Sequence, residues 1–167
     1  MGKAVGAVLV LGACFLFAYA KVHDMKRKLH NAEQMERALF YLKHEVSFSA
    51  RELWEVCDGL ASFLEGQVGE LFYRLGTFLK AHETGSFSEG WAEQVQGIFS
   101  PDAERVLSEF SRHFGTVSRE QEEQAIDRCM ECLQKIRTEE AEEYRKKQKL
   151  IYTLSICGGT SALILLV

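Results

Sequence analysis

Residues 22–46 read VHDMKRKLHNAEQMERALFYLKHEV, and the apolar positions Val22, Met25, Leu29, Ala32, Met35, Leu39, Leu42 and Val46 follow in steps of three and four. Such steps line one face of a helix of ~3.6 residues per turn, whereas a strand would alternate every second residue. The stripe runs on without a break from the uncharged segment AVGAVLVLGACFLFAYA at 4–20. One long helix reaching to about Phe48 is therefore expected, presenting an apolar seam to partner helices.

The rest of the chain repeats this texture in shorter pieces. Ser49 and Glu52 form an S-x-x-E capping box ahead of ARELWEVCDGLASFLEG, and Gly66 and Gly69 punctuate the turn that follows. VGELFYRLGTFLKAHETG carries Leu71, Phe72, Leu75, Phe78 and Leu79 on one side. Ser86 and Glu89 repeat the capping pattern before Trp91, Val95, Ile98 and Phe99. Ser100-Pro101-Asp102 starts the next helix: a serine N-cap, a proline whose missing N–H costs nothing in the first turn, and an acid at the positive dipole end. Gly115 ends it, and Ser118 with Gln121 opens a last helix whose stripe is Ile126, Cys129, Leu133 and Ile136. Eight of the 11 Phe and both Trp fall in 47–115, which places the core there. With one Pro in 167 residues the expectation is all-α, a helical bundle of about six helices.

Charge divides the chain into three. Of 20 Lys and Arg, Lys3 alone lies outside 21–149; all 24 Asp and Glu lie inside, so that block carries −5. The runs 4–20 and 150–167 (LIYTLSICGGTSALILLV) are each long enough at ~1.5 Å per residue to cross a hydrocarbon core. A cleaved signal peptide is the alternative for the first, favoured by its basic start and AYA at 18–20 and opposed by the stripe that continues past Ala20. The reading is a transmembrane helix at 4–20, a domain at 21–149 and a second transmembrane helix at 150–167. Lys26, Arg27 and Lys28 follow the first span, and Arg145, Lys146, Lys147 and Lys149 precede the second. Positive flanks stay inside, so the central domain is expected in the cytoplasm and both termini outside. Within the spans, Gly6, Ala13, Gly158, Gly159 and Ala162 are small residues that would let helices pack closely in lipid.

Several chemistries find no support. A mildly acidic domain without a basic face gives no reason to expect nucleic-acid binding. Cys129-Met-Glu-Cys132 is a C-x-x-C, but a zinc site needs two more ligands and no second pair or H-x-x-x-H exists. Cys129 sits on the apolar stripe, which makes it a small buried hydrophobe. No phosphate-loop, nucleophile-elbow or metalloprotease motif occurs, so neither an enzyme nor a cofactor is expected.

Several segments taken in order carry a resemblance: VGAVLV near the start, MERALFYLKHEVSFSARELWEV with Leu42, Glu45 and Val46, GSFSEGWAEQV with Trp91, LSEFSRHFG with Phe114 and Gly115, and the ending KLIYTLSICGGTSALILLV. The chain resembles the stage III sporulation protein AB family of endospore-forming Firmicutes over nearly its whole length. Two departures stand out: GTVSREQEEQ lacks the Asp usual after the Phe-Gly, and Phe48 replaces a Tyr. The resemblance implies a helical cytoplasmic domain similar to the platform proteins of type II secretion and type IV pilus systems. It implies a place in the channel, or feeding tube, joining mother cell and forespore, in the mother-cell membrane. Expected partners are a stage III sporulation protein AA-type ATPase, other membrane proteins of the channel, membrane lipid and other copies of the chain. The alternative function is a membrane-anchored helical sensor or adaptor with no channel role.

Overall fold

The computed structural model describes the backbone of residues 2–48, 51–81, 87–115 and 117–166, and the side chains of 12, 15–45, 51–81, 87–115, 117–151 and 153. Six helices follow in order: α1 (Gly2–Phe48), α2 (Leu53–Phe63), α3 (Gly66–Ala81), α4 (Phe87–Val95), α5 (Pro101–His113) and α6 (Arg119–Leu166). Among the described residues there is no strand. The all-α expectation therefore stands, and the first helix ends at Phe48 as the stripe indicated. Two compact units divide the chain, residues 1–27 with 139–167, and residues 28–138.

Both apolar runs are helical, 4–20 within α1 and 150–167 within α6 as far as Leu166. Among the described residues no helix is long and apolar enough to cross a membrane. The side chains of 4–11, 13, 14, 152 and 154–167 lie outside the described set, and Gly6, Ala13, Gly158, Gly159 and Ala162 fall among them.

In the unit 28–138, one core joins all six helices. The α1 stripe becomes buried at Ala32 and continues through Met35, Leu39 and Leu42; Ile126, Cys129 and Leu133 of α6 close the opposite side. The core thus extends beyond 47–115, because the two long helices supply a wall that the short ones cannot build for themselves. Its centre is aromatic. Trp91 is fully buried, 5.8 Å from Phe72, 5.1 Å from Phe87 and 6.1 Å from Phe110, ring centre to ring centre. Phe114 joins at 4.8 Å from Phe87. Tilted and edge-on pairs of this kind suit the ring quadrupoles and add to the burial of apolar area.

Helix starts show where local rules hold and where they fail. Ser100 caps α5 with its hydroxyl accepting from the Ala103 N–H at 3.4 Å. At α6 the Ser118 N–H donates to Gln121 Oε1 at 3.3 Å, one arm of the capping box. The start expected from the Ser49 box is not where α2 begins. α2 begins at Leu53 with Glu52 itself at the cap position, and Glu52 accepts instead from the Trp54 indole N–H at 2.7 Å. Ser49 and Ser86 lie outside the described residues. Gly69 is no turn residue. It is buried within α3, where a Cβ would stand 2.4 Å from the Leu64 carbonyl oxygen, so the helix needs a bare backbone there. Ile98 and Phe99 lie past the end of α4, in the turn before α5.

The α4–α5 and α5–α6 connections share one device. Gly97 and Gly115 adopt φ of 78° and 83°, a left-handed conformation that glycine enters without a Cβ clash. The Gly97 N–H donates to Glu104 at 2.7 Å, and the Gly115 N–H donates to Glu122 at 2.9 Å. In each case the glycine, a serine N-cap three residues on and a glutamate seven residues on form G-x-x-S-x-x-x-E, at 97–104 and 115–122.

Candidate functional site

Helices α1 and α6 run antiparallel through the unit 28–138, fixed by two charged contacts. Lys43 Nζ donates to both Asp127 carboxylate oxygens at 2.6 and 2.7 Å, and Arg137 Nε donates to Glu36 at 2.7 Å. A third tie is polar and part-buried: the Asn31 amide donates to Gln67 Oε1 at 3.0 Å and to the Ile98 carbonyl at 2.9 Å. One side chain of α1 thereby holds the first turn of α3 and the α4–α5 loop.

Outside the core, these helices leave an apolar groove of about 440 Å3, lined by Glu36, Arg37, Phe40, Tyr41, Phe63, Met130 and Gln134. Phe40 is 68% exposed because it lies one residue, or ~100°, off the buried Leu39. Phe63, at the end of α2, is 49% exposed and packs 5.4 Å from the Tyr41 ring. Exposed aromatics gathered around a Met are unusual on a surface that meets water alone, and common in the centre of protein interfaces. The charged rim is already paired: Glu36 with Arg137, and Arg37 with Glu33 at 2.8 Å.

A second groove, about 410 Å3, lies between α5 and α6 over Val106, Phe110 and Ala125, with Arg105, Glu109, His113 and Arg128 around it. Both Cys129 and Cys132 line it, Cys132 exposed and Cys129 buried as part of the core. Burial, helped by the neighbouring Cys132, pushes the Cys129 thiol up to about 12, and burial beside Asp58 does the same to Cys57. Thiols held protonated in this way are poor nucleophiles at neutral pH. Among the described residues no group of three His, Cys, Asp or Glu side chains could hold a metal ion.

The basic residues singled out in the sequence fall on the two end segments of the chain or beside them. Lys26 and Arg27 of α1 are exposed, as are Arg145, Lys146, Lys147 and Lys149 of α6, while Lys28 is half-buried. Arg27 pairs with Asp24 at 2.6 Å, and Lys147 with Glu143 at 2.9 Å. The Lys147 hydrogen bond, reinforced by its charge and that of Lys146, holds the Glu143 carboxyl below its usual range.

Sequence reasoning missed Asn31, Phe40 and Phe63. The signal for Phe40 was present: a large apolar residue standing off the stripe of Met35, Leu39 and Leu42. Asn31 had no local signal, since its partners lie 36 and 67 residues away.

The chain is thus an all-α protein, a six-helix bundle with an exposed aromatic groove. The model of one family, described as Stage III sporulation protein AB, matches residues 3–167, and the chain belongs to that family. It is thus a member of a sporulation protein family whose description names no enzymatic activity. A solved structure described as stage III sporulation protein AB (SpoIIIAB) is similar in fold, with a TM-score of 0.66 at 17% identity over 71% of this chain and 97% of that one. No curated protein matches the chain.

Proposed function

We propose that this chain is a non-enzymatic, two-pass membrane platform component of the sporulation channel between mother cell and forespore, and that it docks a secretion-type ATPase. The observation that carries the reading is the groove around Phe40, Tyr41, Phe63 and Met130. It sits on a unit, 28–138, that holds 12 Lys and Arg against 19 Asp and Glu. An apolar groove on so acidic a body suits a partner surface that presents apolar side chains among cations. The end segments 1–27 and 139–167 carry the opposite sign, 8 cations against 5 acids, next to exposed Phe15, Leu16, Phe17, Tyr19 and Leu150. That pairing of grease and positive charge supports membrane anchoring with the acidic unit in the cytoplasm.

Affinity capture with the tagged full-length chain from sporulating cells tests this. Wild type is expected to recover a secretion-type ATPase. The double variant Phe40→Ala, Phe63→Ala should lose on the order of tenfold or more of that recovery, as for a pair of buried aromatic anchors. Both side chains are exposed, so the variant keeps its fold. Capture of channel membrane proteins without any ATPase would remove the docking claim, and capture of neither would remove the platform reading.

A further inference from the structure

We propose that the basic segments flanking the two apolar runs form a binding surface selective for anionic phospholipid headgroups. The proposal rests on the membrane reading above and adds a lipid class to it. Lys21, Lys26 and Arg27 are exposed on α1, and Arg145, Lys146, Lys147 and Lys149 are exposed on α6. All seven belong to the unit formed by 1–27 and 139–167, which also holds the exposed apolar side chains Phe15, Leu16, Phe17, Tyr19 and Leu150.

Read outward from the apolar run, the order is the same on both helices. On α1, Phe15, Leu16, Phe17 (75% exposed) and Tyr19 lead directly to Lys21 and then to Lys26 and Arg27. On α6, Arg145, Lys146, Lys147 and Lys149 lead directly to Leu150. An apolar side chain followed at once by cations is the sequence of environments met on leaving a bilayer, acyl chains first and then phosphates. Long Lys and Arg stems can lie along the apolar surface while their charges reach the headgroup layer.

Electrostatics then decides between lipid classes. A zwitterionic headgroup offers no net attraction, whereas each cation near an anionic surface gains ~1 kcal/mol. The competing intramolecular pairs are weak holders. Arg27–Asp24 and Lys147–Glu143 are exposed contacts within one helix, and such pairs are worth only a fraction of that gain. Lipid phosphates can therefore displace or share them. Of the five acids of the same unit, Asp24 lies between Lys21 and Lys26 on α1, while Glu139, Glu140, Glu142 and Glu143 lie on the far side of the α6 cations from Leu150, away from the apolar run.

The test uses the full-length chain reconstituted in bilayers of equal parts phosphatidylcholine and phosphatidylglycerol. Spin-labelled forms of each lipid are compared for the fraction held immobile at the protein. The expected preference for phosphatidylglycerol is about fivefold or more, the factor that corresponds to ~1 kcal/mol from a single contacting cation. High salt should lower it. The variant R145Q/K146Q/K147Q/K149Q should bring the ratio down towards one. R145K/K146R/K147R/K149R keeps the charge and should retain the preference, which separates charge from helix disruption. Equal retention of both lipids by wild type at low salt would overturn the inference and leave the membrane reading intact. Failure of the chain to enter these bilayers would overturn both.

Discussion

Single residues in this protein act mostly through backbone geometry and desolvation. Gly115 is the clearest case. Its φ of 83° closes α5, and its N–H reaches the Glu122 carboxylate at the start of α6. Gly115→Ala puts a Cβ into the left-handed region, so a loss of roughly 1–2 kcal/mol in urea unfolding is expected. Glu122→Ala, which removes an exposed acceptor, should cost less, about 0.5–1 kcal/mol. The thiols make a second residue-scale prediction. Burial raises both Cys57 and Cys129 from 9.0 to about 12, so each stays protonated in the fold while an unfolded thiol ionises. Stability from this source is complete below pH 9 and is lost as pH rises through the interval up to about 12. A urea midpoint that falls with pH above 9, more weakly in Cys57→Ala and Cys129→Ala, is the expected outcome. In a short alkylation pulse near neutrality, peptide mass spectrometry should find Cys132 modified well ahead of Cys57 and Cys129, since it alone of these three is exposed.

Between elements, the decisive contacts are few and polar. Asn31 is buried on α1, and its amide satisfies both Gln67 and the Ile98 carbonyl. Asn31→Leu would strand those acceptors and should cost about 1–3 kcal/mol at unchanged urea m-value, because the same surface is still buried on folding. A change in m-value instead would mean that α1 no longer packs on the α4–α5 loop. This contact also marks the limit of what could be read from the chain. The stripes of α1 and α6 were legible because periodic burial leaves a periodic pattern, and the Ser100 and Ser118 starts were legible because a cap is made within four residues. The α2 start was misplaced by a motif that is satisfied only when its serine sits at the cap, whereas Glu52 sits there. Gly69 looked like a turn because glycine composition does not distinguish a reversal from a close approach of backbones. The groove was half legible: Phe40 stands visibly off its stripe, but its proximity to Phe63 and Met130 depends on how three helices pack.

At the scale of the whole molecule, the chain divides by contact and by charge along the same lines. Every buried apolar residue of the described core, from Ala32 to Leu133, lies within 28–138. So do the ties that set helix order, Asn31 to Gln67 and Ile98, Lys43 to Asp127, and Glu36 to Arg137. Among the described residues, no side chain of 1–27 or 139–167 belongs to that core. A chain of 28–138 therefore retains every described core residue, and it sheds the exposed Phe15, Leu16, Phe17, Tyr19 and Leu150 that would promote association. It is expected to be helical and monodisperse and to unfold in one cooperative transition with ~5–15 kcal/mol of stability, as ordinary single domains do. Far-ultraviolet dichroism and near-ultraviolet dichroism from the buried Trp91 should report the same urea midpoint. Helical signal without a fixed Trp91 environment would show that packing needs the end segments, and the two units would then have to be treated as one cooperative body. Coincident transitions would locate folding in 28–138 and leave the end segments free to be specified by their surroundings alone, as the membrane anchoring we propose for them requires.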